Sequence, residues 1–244
     1  QKTRNVKITK KLLSTDWKPV VEDPKNHLVV ELVGGVRTAR QIVKMALSLG
    51  KPVVTANKAL ISEFGEELFA LANKNGTNLY YEASVAGGIP IIKVLREGLI
   101  GNRIPYMYGI LNGTCNYILT RMKREGSEFA GVLEDAQRLG YAEAEPSLDV
   151  DGFDAMHKAG ILGSLAHGFW IPPEQIHVEG IQGISPLDIQ FAEQLGYTIK
   201  LLATIKPVNT KPASNAIQIS VCPTLVPNHH VLAGVQDVFN AIFI

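Results

Sequence analysis

The order of hydrophobic and polar residues along the first third of the chain predicts short strands alternating with helices. Three apolar runs have the length and β-branched content of buried strands, and two stretches between them carry apolar residues at helical spacing. The predicted strands are 28–33, 52–55 and 79–81, and the predicted helices are 38–49 and 66–74. This alternation is typical of a parallel α/β sheet, in which ligands bind at the carboxyl ends of the strands.

The rest of the chain mixes helical stretches with alternating strands. Residues 198–205 and 216–222 alternate like antiparallel partners around a turn-rich segment at 207–212. The predicted helices are 89–99, 114–123, 129–139, 152–168 and 186–195, and the further strands are 103–111, 177–181 and 239–244. The whole pattern predicts an α/β fold whose first part is a parallel sheet.

Composition excludes several classes of protein. The chain has 244 residues, is 46% hydrophobic and carries a net charge of +1, so no strong field favours nucleic acid or a membrane surface. Lys7, Lys10 and Lys11 are interpreted as a solvated edge. No apolar run has transmembrane length. The two cysteines, Cys115 and Cys222, do not make a disulfide framework and favour a reducing, cytoplasmic setting.

Residues 140–158 carry the strongest chemical signal. An acidic loop precedes a predicted helix, with Asp151 as a candidate N-cap. Asp154 and Lys158 are four residues apart and share one helix face. Carboxylates that bind an ammonium group, next to a lysine that exchanges a proton, would suit a small zwitterionic substrate. The residues for such a site are present, but the same pattern also has simpler explanations.

One alternative is structural, because an Asp–Lys pair at this spacing is commonly a surface salt bridge and acidic residues commonly precede helices. A calcium loop is a second alternative. It is discarded because Gly152 comes too early after Asp149 and no glutamate follows at the required position. Composition and spacing alone leave the structural and the functional alternative open.

Several segments, taken in order, resemble homoserine dehydrogenases and together cover nearly the whole chain. The Thr55-Ala-Asn-Lys58 motif combined with the acidic loop and its Asp154–Lys158 pair is the specific part of the resemblance. The matching segments are 29–35, 53–59, 81–91, 109–118, 140–158, 223–227 and 238–242. The resemblance implies interconversion of L-homoserine and L-aspartate 4-semialdehyde with NAD(H) or NADP(H). It further implies a role in threonine, methionine and isoleucine biosynthesis and a homodimer.

The resemblance also implies roles for individual residues. Lys158 would be the general acid/base, Asp154 would hold both substrate and lysine, and Lys58 would lie where the nicotinamide meets the substrate. The implied substrate-binding residues are Gly140, Tyr141, Glu143, Asp149 and Asp154. The implied cofactor-binding residues are Gly34, Asn57, Lys58 and Gly140. The implied ligands of a monovalent cation, usually sodium, are Glu82 and the carbonyls of Val85, Gly87 and Ile89.

Three of these segments have a simpler explanation beside the functional one. Glu82 could cap a strand end, and residues 85–89 could be a glycine turn before a helix. The Asn112-Gly-Thr114 segment is interpreted as mainly structural, a turn and a helix cap. Cys115 is expected to pack in the core, which argues against a semialdehyde dehydrogenase of the acylating kind because that class needs a reactive cysteine.

The chain also departs from the family pattern. The family opens with a strand and a glycine-rich turn that cradles the pyrophosphate, and neither is found here, so the chain is expected to be a fragment. The expected fold is therefore an incomplete Rossmann-like parallel sheet in residues 1–84, then an α/β catalytic and dimerisation domain in 85–244. Cofactor affinity and turnover of the chain alone are expected to be weak. Two alternatives are a non-catalytic paralogue that serves as a dimerisation module and a relative that oxidises another amino or hydroxy acid.

Overall fold

The computed structural model describes residues 8–208 and 216–244, and an α/β architecture extends through both ranges. The strands are β1 Val29–Glu31, β2 Val53–Thr55, β3 Leu79–Tyr80, β4 Met107–Ile110, β5 His177–Val178, β6 Tyr197–Pro207, β7 Ile217–Pro227 and β8 Ala241–Phe243. The helices are α1 Lys18–Glu22, α2 Arg37–Ser48, α3 Lys58–Lys74, α4 Ile91–Lys93, α5 Gly113–Glu125, α6 Phe129–Arg138, α7 Ser147–Val150, α8 Phe153–His167 and α9 Pro186–Gln194.

The strands form two sheets in the described part of the chain. Strands β1, β2 and β3 are parallel neighbours in that order, which confirms the predicted parallel sheet. The second sheet has the order β5-β7-β6-β4-β8, and its longest pairing is antiparallel, between β6 and β7. The fold class is therefore confirmed, whereas the division of the chain after residue 84 stays a prediction.

Helix α2 shows why the spacing of apolar residues predicted a helix at this position. Its predicted apolar positions all lie in the core, and the side chains between them are exposed or half-buried. The buried residues are Ala39, Ile42, Val43, Ala46 and Leu47. A helix with one apolar stripe is stabilised by tertiary packing and not by its intrinsic propensity alone.

Several boundaries differ from the prediction, and two of the differences concern helix caps. Helix α3 begins at Lys58 and not near residue 66, because the Asn57 side chain accepts a hydrogen bond from Leu60 N and caps the helix at 3.1 Å. Asp151 is not the N-cap of α8. That position is taken by Gly152 at φ +88°, and the Asp151 carboxylate instead accepts a hydrogen bond from Gln182.

Glycines let α8 pack closely on the second sheet. A Cβ at Gly163 would lie 2.5 Å from Ile219 Cδ1, and a Cβ at Gly160 would lie 3.0 Å from Ile176 Cδ1. These glycines weaken the helical pattern in the sequence, but the helix continues through both because their small size permits the contact. The packing fixes the orientation of α8, which carries Asp154 and Lys158.

Two predictions fall partly or wholly outside the described residues. The turn-rich segment predicted at 207–212 is described only to residue 208, and Lys7 of the predicted solvated edge precedes the described range. Lys10 and Lys11 are exposed, as predicted for that edge. Within the described ranges, no helix is long and apolar enough to span a membrane.

Candidate active site

Helix α8 places Asp154 and Lys158 in direct contact. The four-residue spacing puts them on the same face, and Lys158 Nζ lies 2.6 Å from Asp154 Oδ2. The Lys158 side chain is only 15% exposed and that of Asp154 only 5%, so the pair is far more buried than an ordinary surface salt bridge. Because buried charges are costly unless paired, this contact is unlike the weak surface pair that the spacing alone would suggest.

A second lysine, at the beginning of α3, reaches the same carboxylate. Lys58 is the first residue of α3, directly after β2, and its Nζ lies 2.9 Å from Asp154 Oδ1. Each oxygen of Asp154 therefore pairs with a different lysine. The contact joins the carboxyl end of the parallel sheet to the helix that follows the acidic loop.

The position of Lys158 is fixed by a further hydrogen bond. Its Nζ donates to the carbonyl of Leu111 at 2.8 Å, in addition to Asp154. A lysine ammonium has three donor hydrogens, so one remains for a ligand oxygen. Leu111 directly follows β4, so the second sheet contributes to the orientation of this lysine.

Asp149 joins the cluster through Asn112. The Asn112 Nδ2 donates to Asp149 Oδ1 at 2.7 Å and to Asp154 Oδ2 at 2.8 Å. Asp149 also lies 3.4 Å from the hydroxyl of Thr114. The acidic loop forms the short helix α7 here, which brings Asp149 back toward the beginning of α8.

The two carboxyl groups respond differently to burial. Burial raises the pKa of Asp149, the charge of Asp154 adds to the effect, and the hydrogen bond from Asn112 opposes it. Burial would also raise the pKa of Asp154. The charges of Lys158 and Lys58, together with the hydrogen bonds from Lys158 and Asn112, outweigh the effect of burial and hold that pKa below its ordinary value. Asp154 is therefore the fixed negative charge between the two lysines.

A cleft of about 440 Å³ opens beside the cluster. Its lining residues are Glu31, Leu32, Gly34, Gly35, Ala56, Asn57, Lys58, Ala59, Leu148 and His157. The lining thus combines the carboxyl ends of β1 and β2 with residues from the loop and α8. A larger cavity of about 730 Å³ is lined by Phe69, Tyr81 and Trp170 and contains none of the predicted site residues.

One side of this cleft is built from the ends of β1 and β2. Gly34 and Gly35 adopt φ values of +77° and +65°, and a Cβ at either would meet nothing within 4 Å. Asn57 Nδ2 donates to the carbonyl of Gly35 at 2.7 Å, which ties the glycine turn to the beginning of α3. Open backbone next to a helix N-terminus and a lysine suits an anionic or polar ligand.

The remaining predicted substrate residues border the cluster less directly. Gly140 ends the turn after α6 at φ +78°, and the Tyr141 carbonyl accepts from the Thr114 hydroxyl at 2.7 Å. The Tyr141 ring packs on Tyr117 with ring centres 4.9 Å apart. Glu143 is exposed, and within 8–208 and 216–244 its carboxylate has no hydrogen-bond or ion-pair partner. The structure therefore does not bring Glu143 together with the lysines.

The predicted cation ligands lie in the turn after β3. Both oxygens of Glu82 accept from backbone N–H groups, those of Ile92 and Lys93, at 2.9 Å each. The Ile89 carbonyl accepts from Ile91 N at 2.8 Å. Glu82 thus acts here as a cap for the short helix α4. An all-oxygen set of one carboxylate and backbone carbonyls nevertheless fits the chemistry of a hard cation, because carboxylate and carbonyl oxygens have further lone pairs.

Several residues of the site were missed or underrated in the sequence. Asn112 was interpreted as a turn and cap, yet it also binds two carboxylates. His157 lines the cleft, and its buried Nδ1 has no partner among the described residues. Burial and the charge of Lys58 lower the pKa of His157. Its neighbour position to Lys158 was the one available signal in the sequence.

Glu31 is the clearest example of a residue without a sequence signal. It is 1% exposed, and its carboxylate accepts from the Thr55 hydroxyl at 2.6 Å and from Val33 N at 2.8 Å. Within an apolar strand it had no distinguishing pattern. Its contacts hold the turn after β1 against the end of β2, at the cleft that Glu31 lines.

Comparison with known proteins gives one consistent result. The family model described as homoserine dehydrogenase matches residues 90–244, and the model described as homoserine dehydrogenase, NAD binding domain, matches residues 1–82. A homoserine dehydrogenase from Synechocystis sp. is 48% identical over 243 residues, covering 100% of this chain and 56% of that relative.

Solved structures agree with the sequence relatives. A homoserine dehydrogenase from Thiobacillus denitrificans has a TM-score of 0.90 at 47% identity, covering 94% of this chain and 52% of that one. A hyperthermophilic archaeal homoserine dehydrogenase in complex with NADPH has a TM-score of 0.76 at 33% identity, covering 91% and 63%. The chain thus spans about half the length of the curated relatives that it matches. On these matches to both halves of its sequence and to its fold, the chain belongs to the homoserine dehydrogenase family.

Proposed function

We propose that this chain carries the site that interconverts L-homoserine and L-aspartate 4-semialdehyde with NADP(H) or NAD(H). The observation that carries the proposal is the Asp154 carboxylate, which binds Lys58 with one oxygen and Lys158 with the other. In the oxidation, the carbinol carbon loses a hydride and its hydroxyl loses a proton; the reduction reverses both. The protein therefore has to hold an amino-alcohol, handle one proton and orient the substrate toward a nicotinamide.

Lys158 is the proposed proton carrier. It takes the hydroxyl proton in the oxidation and returns it to the aldehyde oxygen in the reduction, since charge develops on that oxygen as the hydride moves. Two of its hydrogen-bonding positions are fixed by Asp154 and Leu111, which orients the remaining one. An oriented group of this kind lowers the entropic cost of reaching the reactive geometry.

The substrate ammonium group is proposed to bind at the acidic loop. Asp149 is half-buried and lies next to Asp154, so a cation bound there would compensate a carboxylate that burial disfavours. Glu143 is exposed on the same loop and is proposed to complete the ammonium site when substrate is present. Gly140 and the ring of Tyr141 are proposed to border the pocket.

The cofactor is proposed to lie in the 440 Å³ cleft, held by Gly34, Asn57 and Lys58, which line it. Gly140 is not among the lining residues and is proposed to contact the cofactor from the turn after α6. When bound, the nicotinamide accepts or returns the hydride. The match of residues 1–82 to an NAD-binding domain and the likeness to a structure described as a complex with NADPH support a nucleotide at this edge of the sheet. Lys58 would then lie between the nucleotide and Asp154.

Four finer points extend the proposal. A monovalent cation, sodium in the first instance, is proposed at Glu82 and the carbonyls of Val85, Gly87 and Ile89. The chain is proposed to form a homodimer through residues 85–244 and to work in the cytoplasm. Its reaction is proposed to serve threonine, methionine and isoleucine biosynthesis. Family membership supports these points.

The test is turnover by the 244-residue chain and by a version extended to the length of its relatives, because the chain spans about half of that length. NADPH oxidation with aspartate 4-semialdehyde, and NADP+ or NAD+ reduction with L-homoserine, are followed at 340 nm. The proposal expects turnover with homoserine and a far lower rate with 4-hydroxybutyrate, which has the hydroxyl but lacks the ammonium group. Equal rates with both alcohols would favour a broader hydroxy-acid dehydrogenase. No turnover by either version with either nucleotide would favour a non-catalytic role.

A further inference from the structure

Asn112 makes more contacts than a helix cap requires. It lies between β4 and α5 and is 4% exposed. Its Oδ1 accepts from Cys115 N at 2.8 Å, which caps α5. Its Nδ2 donates to Asp149 at 2.7 Å and to Asp154 at 2.8 Å. The amide nitrogen has two hydrogens, so all of its donor capacity is used on two carboxylates.

Capping alone does not explain the choice of asparagine. Ser, Thr, Asp and Asn cap helices comparably, because each needs only a side-chain oxygen. Among these four, only asparagine can donate two hydrogen bonds while its oxygen accepts the cap. The second set of contacts therefore depends on the amide group itself.

The charges around Asp149 show what the amide does there. Asp154 is the neighbouring negative charge, Lys158 and Lys58 are the neighbouring cations, and the Cys115 thiol donates to the Asp149 backbone carbonyl. His157 also lies within electrostatic reach of Asp154. Two carboxylates side by side repel each other when both are ionised. A neutral group that donates to both reduces this repulsion without adding a charge that would compete for a bound ammonium group.

We propose that Asn112 is a positioning residue that holds Asp149 and Asp154 side by side, so that Asp149 binds the substrate ammonium group while Asp154 binds the lysines. This role rests on the proposed function, because it assumes an amino substrate at the acidic loop. It adds a residue from the end of β4 to a site otherwise built from the acidic loop, α8 and Lys58.

The test separates the amide from the cap. Asn112→Ser keeps a capping oxygen but replaces the two amide N–H donors with one hydroxyl on a shorter side chain, so it cannot donate to both carboxylates. Ser185→Ala removes the cap of α9 as a control for cap loss alone. Carbon-13 NMR of aspartate side-chain carboxyls follows their titration without any need for turnover, and Asp149→Asn assigns the Asp149 signal. Asn112→Ser should raise the titration midpoint of Asp149 by about one pH unit, because a hydrogen bond to the charged form is lost.

Kinetics supply the second measurement. Asn112→Ser should raise KM for homoserine about tenfold and leave KM for the nucleotide unchanged, whereas Ser185→Ala should change neither. An Asp149 midpoint in Asn112→Ser equal to that of the unaltered chain would overturn the proposal. A shifted midpoint in a chain without any turnover would support the positioning role and contradict the proposed function. If Asn112→Ser does not fold, Asn112→Thr, which also keeps a capping oxygen, lacks the amide and adds no charge, is read in the same way.

Discussion

The ammonium group of Lys58 lies 2.9 Å from Asp154, and this contact connects the parallel sheet to the helix that follows the acidic loop. The two residues are far apart in the sequence. Lys58 is placed by the Asn57 cap at the beginning of α3, and Asp154 is placed by the packing of α8 on the second sheet. The candidate site is therefore a product of how the two parts of the chain fit together.

Replacing Lys58 tests whether the contact is functional. Lys58→Met removes one cation from Asp154 but leaves the Asp154–Lys158 pair, so the protein should remain folded. We expect kcat/KM for homoserine to fall about tenfold or more, because the substrate and the nucleotide are both proposed to lie against this side chain. Lys74→Met, at the exposed far end of the same helix, is the control. Equal kinetics in the two variants would show that Lys58 is only a structural partner.

The lowered pKa of Asp154 predicts a specific pH dependence of stability. A carboxyl whose pKa is lower in the folded state stabilises the fold above its unfolded pKa, and the contribution is lost as pH falls through the folded value. Asp154→Asn should lower the free energy of unfolding by about 3 kcal/mol at pH 7, because it leaves two lysines without their shared partner.

Urea unfolding of both proteins at pH 7 and at pH 3 measures this effect. The difference between them should shrink at the lower pH, where the Asp154 carboxylate of the unaltered chain begins to be protonated. A difference that stays constant with pH would mean that the shape of the side chain, and not its charge, is what matters.

Asp149 should behave in the opposite way. Its pKa is raised by burial and by Asp154, so its ionised form costs stability at neutral pH. Asp149→Asn is therefore expected to raise Tm at pH 7 by about 2–4 °C. It should also raise KM for homoserine, because the negative charge is proposed to bind the ammonium group. Calorimetry and steady-state kinetics on one preparation test both, and a lower Tm would contradict the pKa argument.

The close packing of α8 can be tested by adding one methyl group. Gly163→Ala should destabilise the protein by about 1 kcal/mol, since the new Cβ would lie 2.5 Å from Ile219 Cδ1 and 3.1 Å from Ile171 Cδ1 and these side-chain ends would have to shift. Gly131→Ala is the matched control, because it lies within α6 with nothing near its Cβ, and it should stabilise by about 0.5–1 kcal/mol. Denaturant unfolding measures the free energy of unfolding of both variants. Changes of the same sign in the two variants would contradict the packing argument.

The local parts of the fold could be predicted from the sequence because their causes are local. The apolar stripe of α2 follows from helical periodicity, and the Asp154–Lys158 contact follows from a four-residue spacing. The early start of α3 was missed because Ser62, Glu63 and Gly65 interrupt its apolar pattern. Its cap, Asn57, was assigned to the cofactor instead.

The non-local contacts could not be predicted from spacing. The contact of Lys58 with Asp154 depends on tertiary packing, and nothing near Asn112 showed that its amide would reach two carboxylates of another segment. Only the resemblance placed Lys58 near the acidic loop. It also placed Glu143 in the substrate site, where the structure shows an exposed side chain apart from the lysines.

The most direct test of the account is the kcat of Lys158→Met for homoserine oxidation, measured beside Lys44→Met. Lys44 also pairs with a carboxylate, that of Glu67, but on the opposite side of α3 from the proposed chemistry. We predict that Lys158→Met lowers kcat by about 100-fold or more with an unchanged circular dichroism spectrum, since general acid/base catalysis is lost, and that Lys44→Met keeps normal turnover. A kcat for Lys158→Met within a few-fold of the unaltered chain would contradict the account.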